Sequence, residues 1–144
     1  MATPYKKVVE SFLEKIDDYK MLNYSSQDIL LNSTAYMNAV CSDFNRICLI
    51  DLEDKDDYIC EFANDLSREV IEIIAKGMVV EWLKPLVYKA DAMLNLMNLK
   101  DATFYSPSTL LAQKRAMLAE AEKAYSNAVK NYSYYHAKLG ELSI

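Results

Sequence analysis

The chain has 144 residues, 52% of them hydrophobic and 26% charged, with two glycines, three prolines and a formal net charge of −5. That length suits one domain with a buried core, and that apolar content excludes a disordered chain. Scarce Gly and Pro beside abundant Ala, Leu, Met and Lys favours helices over a turn-rich β fold.

The charge is unevenly spread. Positions 1–50 carry six acids and five bases, positions 51–76 carry nine acids and three bases, and the remainder carries six acids and eight bases. An acidic middle beside a slightly basic C-terminal part suits head-to-tail packing of copies. A nucleic-acid surface needs basic residues gathered on one face, and none are, so no sequence-specific nucleic-acid partner is expected. Cys41, Cys48 and Cys60 make an odd count without CxxC, which reads as reduced thiols in a cytosolic setting. No signal-peptide pattern opens the chain and no apolar run approaches the about 18 residues of a membrane span, so neither is expected.

The first helix is predicted from "TPYKKVVESFLEKI". Thr3 is placed to cap it, Pro4 sits where its missing N–H is harmless, and Val8, Val9, Phe12, Leu13 and Ile16 form one apolar face. A break is expected over 17–24. "SSQDILLNSTAYMNAVCSDF" follows as a second helix capped by Ser25 or Ser26, with a bend expected at Asn32, Ser33 and Thr34. In "CLIDLEDKDDYICEF" the aspartates predict a loop leading into a short helix over 56–63.

"LSREVIEIIAKGMVVEWLKPLV" is predicted as the central helix. Ser67 caps it, Glu69 lies in its first turn, and its apolar residues surround it on nearly all sides. Phe12, Ile74, Val79, Trp82 and Leu83 are the predicted core. Gly77 costs about 1 kcal/mol there unless a neighbouring backbone needs the space. Pro85 should kink or end the helix near Lys84. "LVYKADAMLNLMNL" continues helically before a break at "KDATFY", and Met78, Met93 and Met97 read as gap-fillers.

Ser106 and Pro107 open a last helix over 106–139, with Gly140 as its stop. Leu111, Leu118, Tyr125, Tyr132 and Leu139 recur at sevens, and so do Ala121, Ala128 and Tyr135. About 30 residues make a helix of about 45–50 Å. With the other helices expected at about half that, its tyrosine end should project from the body. The fold class is therefore all-α, a small helical bundle in a single domain with a long C-terminal helix.

No catalytic set emerges, and the chain is expected not to be an enzyme. His136 is the one histidine, so any nucleophile–His arrangement depends on it. Glycines at only 77 and 140 exclude a phosphate-cradling loop. The carboxylates of 51–61 fail the EF-hand spacing, and there is no HExxH, so no metal or other cofactor is expected. Eleven tyrosines against four phenylalanines is the unusual count. Tyrosine buries apolar area while tolerating exposure, which interfaces favour. Tyr5, Tyr19, Tyr36 and Tyr88 read as core-edge rings. Tyr125, Tyr132, Tyr134, Tyr135 and His136, with Asp54, Asp56 and Asp57, are the expected partner interface.

"LSREVIEIIAKGMVVEWLKPLV" followed by "FYSPSTLLAQKRAMLAEAEKAYSNAVKNYSYY" resembles a group of small helical proteins from tailed phages of low-GC Gram-positive bacteria, encoded among the head and neck genes. Glu81-Trp82-Leu83-Lys84-Pro85 and Tyr105-Ser106-Pro107 are its distinctive pieces, and the opening "TPYKKVVESFLEKI" extends the likeness over most of the chain. The resemblance implies a head–tail connector, or adaptor, in the virion neck, present in the host cytoplasm before assembly. Its partners would be the portal protein, neighbouring copies in a ring of twelve, and a tail or stopper protein. The alternatives are another phage component, in tail completion or the minor capsid, or a small acidic regulatory binding protein.

Overall fold

The structure, a computed structural model, describes residues 2–16, 26–100 and 106–142, with side chains placed for 2–16, 32–88 and 112–136. Four helices make up most of it: α1 (Tyr5–Ile16), α2 (Ser26–Phe44), α3 (Arg68–Lys100) and α4 (Ser106–Leu142). The fold is all-α with a long C-terminal helix. Three two-residue strands, β1 (Thr3–Pro4), β2 (Lys55–Asp56) and β3 (Glu61–Phe62), add a small antiparallel sheet in the order β1-β3-β2. The expected breaks at 17–24 and 101–105, the cap at Ser25 and Tyr19 lie outside the described residues, and the side chains of Ser26, Met93, Met97, Ser106, Leu111 and Leu139 lie outside those placed.

Thr3 does not cap α1. It pairs opposite Phe62 in the sheet, and its hydroxyl donates to the Asn64 carbonyl (3.1 Å) while accepting the Leu66 N–H (2.9 Å). The N–H of Tyr5 instead reaches the Cys60 carbonyl at 2.9 Å. The start of α1 is thereby tied to the hairpin, whose strands are β2 and β3. Tyr5 also packs edge-on against Phe62, with ring centroids 5.0 Å apart.

The short helix expected over 56–63 is this hairpin. Carboxylates there take backbone donors that a helix would need: Asp56 Oδ1 accepts from Tyr58 N at 2.9 Å, and Asp51 Oδ1 from Glu53 N at 3.0 Å. Upstream, Asn45 Oδ1 accepts the Leu52 N–H at 2.8 Å, which turns the chain after α2 and drives Leu52 into the core. α2 runs as one helix from Ser26 to Phe44, through Asn32, Ser33 and Thr34 where a bend is expected.

Helix α3 is central, as its all-round apolar pattern predicts. Ser67 Oγ accepts the Val70 N–H at 3.2 Å, the geometry of an N-cap. Val70, Ile73, Ile74, Met78, Val79, Trp82 and Leu83 are buried against α1, α2 and α4, and Phe12 meets Trp82 edge-on at 6.5 Å. Pro85 does not end α3, which continues to Lys100; it sits on the exposed side, where water can reach a carbonyl left without its donor. Gly140 does not stop α4 either, which reaches Leu142.

At 33 residues, α3 nearly matches the 37 of α4, about 50 and 55 Å respectively. The two run antiparallel, with His136 beside Glu69 and Tyr125 against Gly77. The expectation that the tyrosine end projects rested on short partner helices. It is overturned: that end lies along the first turns of α3.

Candidate interaction surface

The stripe of α4 facing the body comprises Met117, Leu118, Ala121, Tyr125, Ala128, Val129 and Tyr132. The heptad rows place Leu118, Ala121, Tyr125, Ala128 and Tyr132 on this stripe, but Met117 and Val129 lie off those rows and Tyr135, which lies on one, is exposed; the tyrosines thus divide differently from expectation. Tyr132 is a core residue at 4% exposure, packed edge-on against Phe44 at 5.2 Å. Its hydroxyl accepts the Leu49 N–H at 3.1 Å and lies 3.7 Å from Cys48 Sγ. Burial raises its pKa above the usual tyrosine value, while the bond from Leu49 acts in the opposite direction.

Tyr125 is half-buried and donates to Asp43 Oδ2 at 2.9 Å. Burial first, then this bond to a carboxylate, raises its pKa. Both Tyr125 and Tyr132 therefore hold α4 to the rest of the chain. His136 lies on the same seam: its ring is 4.1 Å from that of Tyr132 and 5.3 Å from that of Tyr135, both on α4, and its Nε2 is 3.6 Å from Glu69 Oε1 on α3.

Tyr134 and Tyr135 face outward, at 72% and 56% exposure. With Glu69, Glu72, Ile73, Lys76, Ala128, Asn131 and Tyr132 they line an open groove of about 610 Å³ between α3 and α4. Glu72 is held ionised on its rim. Lys15 Nζ lies 2.6 Å from one carboxylate oxygen, and Ser11 Oγ donates to the other at 3.0 Å. The bond from Lys15 chiefly, opposed by partial burial, keeps this carboxyl below the usual glutamate range.

Asp54, Asp56 and Asp57 are exposed on the hairpin and line a second open recess with Ala2, Lys55, Ile59, Glu61, Phe62 and Ala63. The hairpin and the α4 rings, expected as two contact faces, form two surfaces that share no lining residue. Among the described residues no group of three His, Cys, Asp or Glu is placed to hold a metal ion. No helix among them is long and apolar enough to cross a membrane. Cys41 is buried, and that burial pushes its thiol up to about 12, Lys55 partly offsetting the effect.

Sequence reasoning missed several exposed apolar groups. Tyr58 is 94% and Ile59 58% exposed at the hairpin tip, and Ile47 and Leu49 are exposed in the turn after α2. Two large apolar residues set among six carboxylates was the available signal for the tip. Tyr88, read as a core-edge ring, is also exposed. Comparison with known proteins adds no relative: no family model matches the chain, and neither curated proteins nor solved structures give a significant match.

Proposed function

We propose that this chain is a structural subunit of a tailed-phage neck, a head–tail connector that forms a ring beneath the portal and joins it to the tail or stopper. One observation carries the reading. Among the described residues the four helices share one buried core, yet Tyr58 and Ile59 on the hairpin and Tyr134 and Tyr135 on α4 are exposed on two separate surfaces. Rings held in water on a well-packed body are the anchors that protein interfaces use. Two such surfaces suit a subunit that meets more than one neighbour.

The sequence resemblance supplies the identity of the assembly, and the charge pattern supports contact between unlike faces. The role requires no catalytic step, only surfaces that recur from copy to copy. Mixing the full chain with a portal ring from a phage of a low-GC Gram-positive host and imaging the product tests it. A second ring stacked coaxially on the portal is the expected result. Portal rings that stay bare at every ratio would defeat the proposal.

A further inference from the structure

Tyr58 and Ile59 stand exposed at the hairpin tip, beside a recess of about 460 Å³ that crosses the small sheet. Ala2 lines the recess just before β1, Lys55 and Asp56 line it from β2, and Glu61 and Phe62 from β3. The tip is tied to α1 at two points. Tyr5 Oη donates to Asp57 Oδ1 at 2.6 Å, and the Cys60 carbonyl takes the Tyr5 N–H at 2.9 Å. The apolar pair is thus presented on an ordered backbone, and little freedom remains to be lost on docking.

Charge decides what can cover this surface. Asp54, Asp56, Asp57 and Glu61 line the recess, and the one cation among its lining residues, Lys55, is mostly buried with Nζ 3.7 Å from Glu53 Oε2. Among the described residues none of those four carboxylates has an ion-pair partner. Their field repels nucleic acid and the anionic face of a membrane. They do not converge on one ion either: among the described residues no group of three His, Cys, Asp or Glu is placed to hold a metal. Separate carboxylates around an apolar pair suit separate cationic side chains carried on one polypeptide, and the exposed Tyr58 ring offers its face to a guanidinium.

We infer that the Tyr58–Ile59 tip and the recess beside it take a basic segment of a partner protein, one whose arginine or lysine side chains are spaced by apolar ones. The apolar residues of that segment cover Tyr58 and Ile59, and its cations meet Asp54, Asp56, Asp57 and Glu61. This rests on the reading of the hairpin as a contact surface and names the chemistry of what it contacts. It does not depend on which neck protein supplies the segment.

Fluorescence anisotropy of a labelled peptide alternating arginine with leucine, titrated with the full chain, tests the inference. The same peptide with glutamate in place of arginine is the control. The arginine peptide should bind at low salt and weaken as salt is raised. Asp54→Asn with Glu61→Gln should weaken it about tenfold, and Tyr58→Ser with Ile59→Ser by a similar factor. Glu14→Gln with Glu122→Gln removes the same charge from exposed positions on α1 and α4, and should change affinity by less than about twofold. An unchanged melting temperature shows that a variant folds, and either hairpin pair carries the test if the other does not. Equal weakening by the two charge pairs overturns the inference by reducing it to net charge. An arginine peptide that binds no better than the glutamate one overturns it too, as does binding indifferent to Tyr58→Ser with Ile59→Ser. Self-association of the chain that the hairpin variants abolish gives the surface to a second copy, and overturns the assignment to a partner. Failure of the peptide with portal rings still capped removes this surface and leaves the connector reading standing. Hairpin-dependent peptide binding with bare portals does the reverse.

Discussion

Gly77 and Tyr125 meet where α3 crosses α4. A β-carbon at position 77 would lie 2.9 Å from Tyr125 Cε1, and also 2.6 and 2.8 Å from the two γ-carbons of Val40 on α2. The glycine is therefore kept by side chains from two helices, not by a neighbouring backbone. Gly77→Ala should lower stability. The gain in helix propensity is about 1 kcal/mol, while the overpacking of a filled core costs about 1–3 kcal/mol. Val40→Ala in the same chain removes two of the three close contacts and should recover part of the loss. A melting temperature that rises on Gly77→Ala alone would show the crossing is looser than described.

The two kinds of tyrosine on α4 should separate in a melting experiment. Tyr132→Ser removes a buried ring and should cost about 3–5 kcal/mol. Tyr132→Phe removes the acceptor of the Leu49 N–H, which lies in an exposed turn, and should cost about 0.5–1.5 kcal/mol. Tyr134→Ser and Tyr135→Ser remove exposed rings and should stay within about 0.5 kcal/mol of the parent. Equal losses at 132 and 135 would contradict the placement of α4.

Much of this arrangement was legible in the sequence. The all-round apolar pattern of 70–83 marks α3 as central, and Phe12, Ile74, Val79, Trp82 and Leu83 are buried as predicted. What sequence could not supply was register. Tyr132 and Tyr135 have the same composition and neighbouring positions, and the crossing with α3 alone decides which is buried. The hairpin was hidden for another reason: Asp51, Asp56 and Asn45 compete for backbone donors, and local composition does not show whether they win. Pro85 and Gly140 carry strong stop signals, yet in the structure helix continues through both.

Trp82→Ala offers a check on the core independent of α4. The indole is buried beside Phe12, so its loss should cost about 3–5 kcal/mol. A chemical-denaturation midpoint that does not move would take Trp82 out of the core.

Stability should fall on both sides of neutral pH. Glu72 has a folded pKa held down by Lys15, so its contribution is present above the unfolded glutamate value of about 4.3 and is lost as pH falls through the lower folded value. Glu72→Gln should flatten the acid side of the profile. Tyr5, Tyr125 and Tyr132 have raised values, burial being the first cause in each. Their unfolded forms ionise first, so stability is complete below about pH 10 and falls as pH rises beyond it. Urea midpoints measured across pH would show both limbs; a Glu72→Gln profile identical to the parent would remove that pair from the account.

The central claim is that this chain is a ring subunit, and its mass in solution tests that most directly. Light scattering behind a sizing column, at low and near-physiological salt, alone and with a portal ring present, gives the answer. A particle of many copies is predicted, near twelve on the portal, and weakened by salt where the acidic hairpin takes part. A chain that stays monomeric in every condition and elutes apart from the portal would contradict the connector reading and leave a small acidic binding protein in its place.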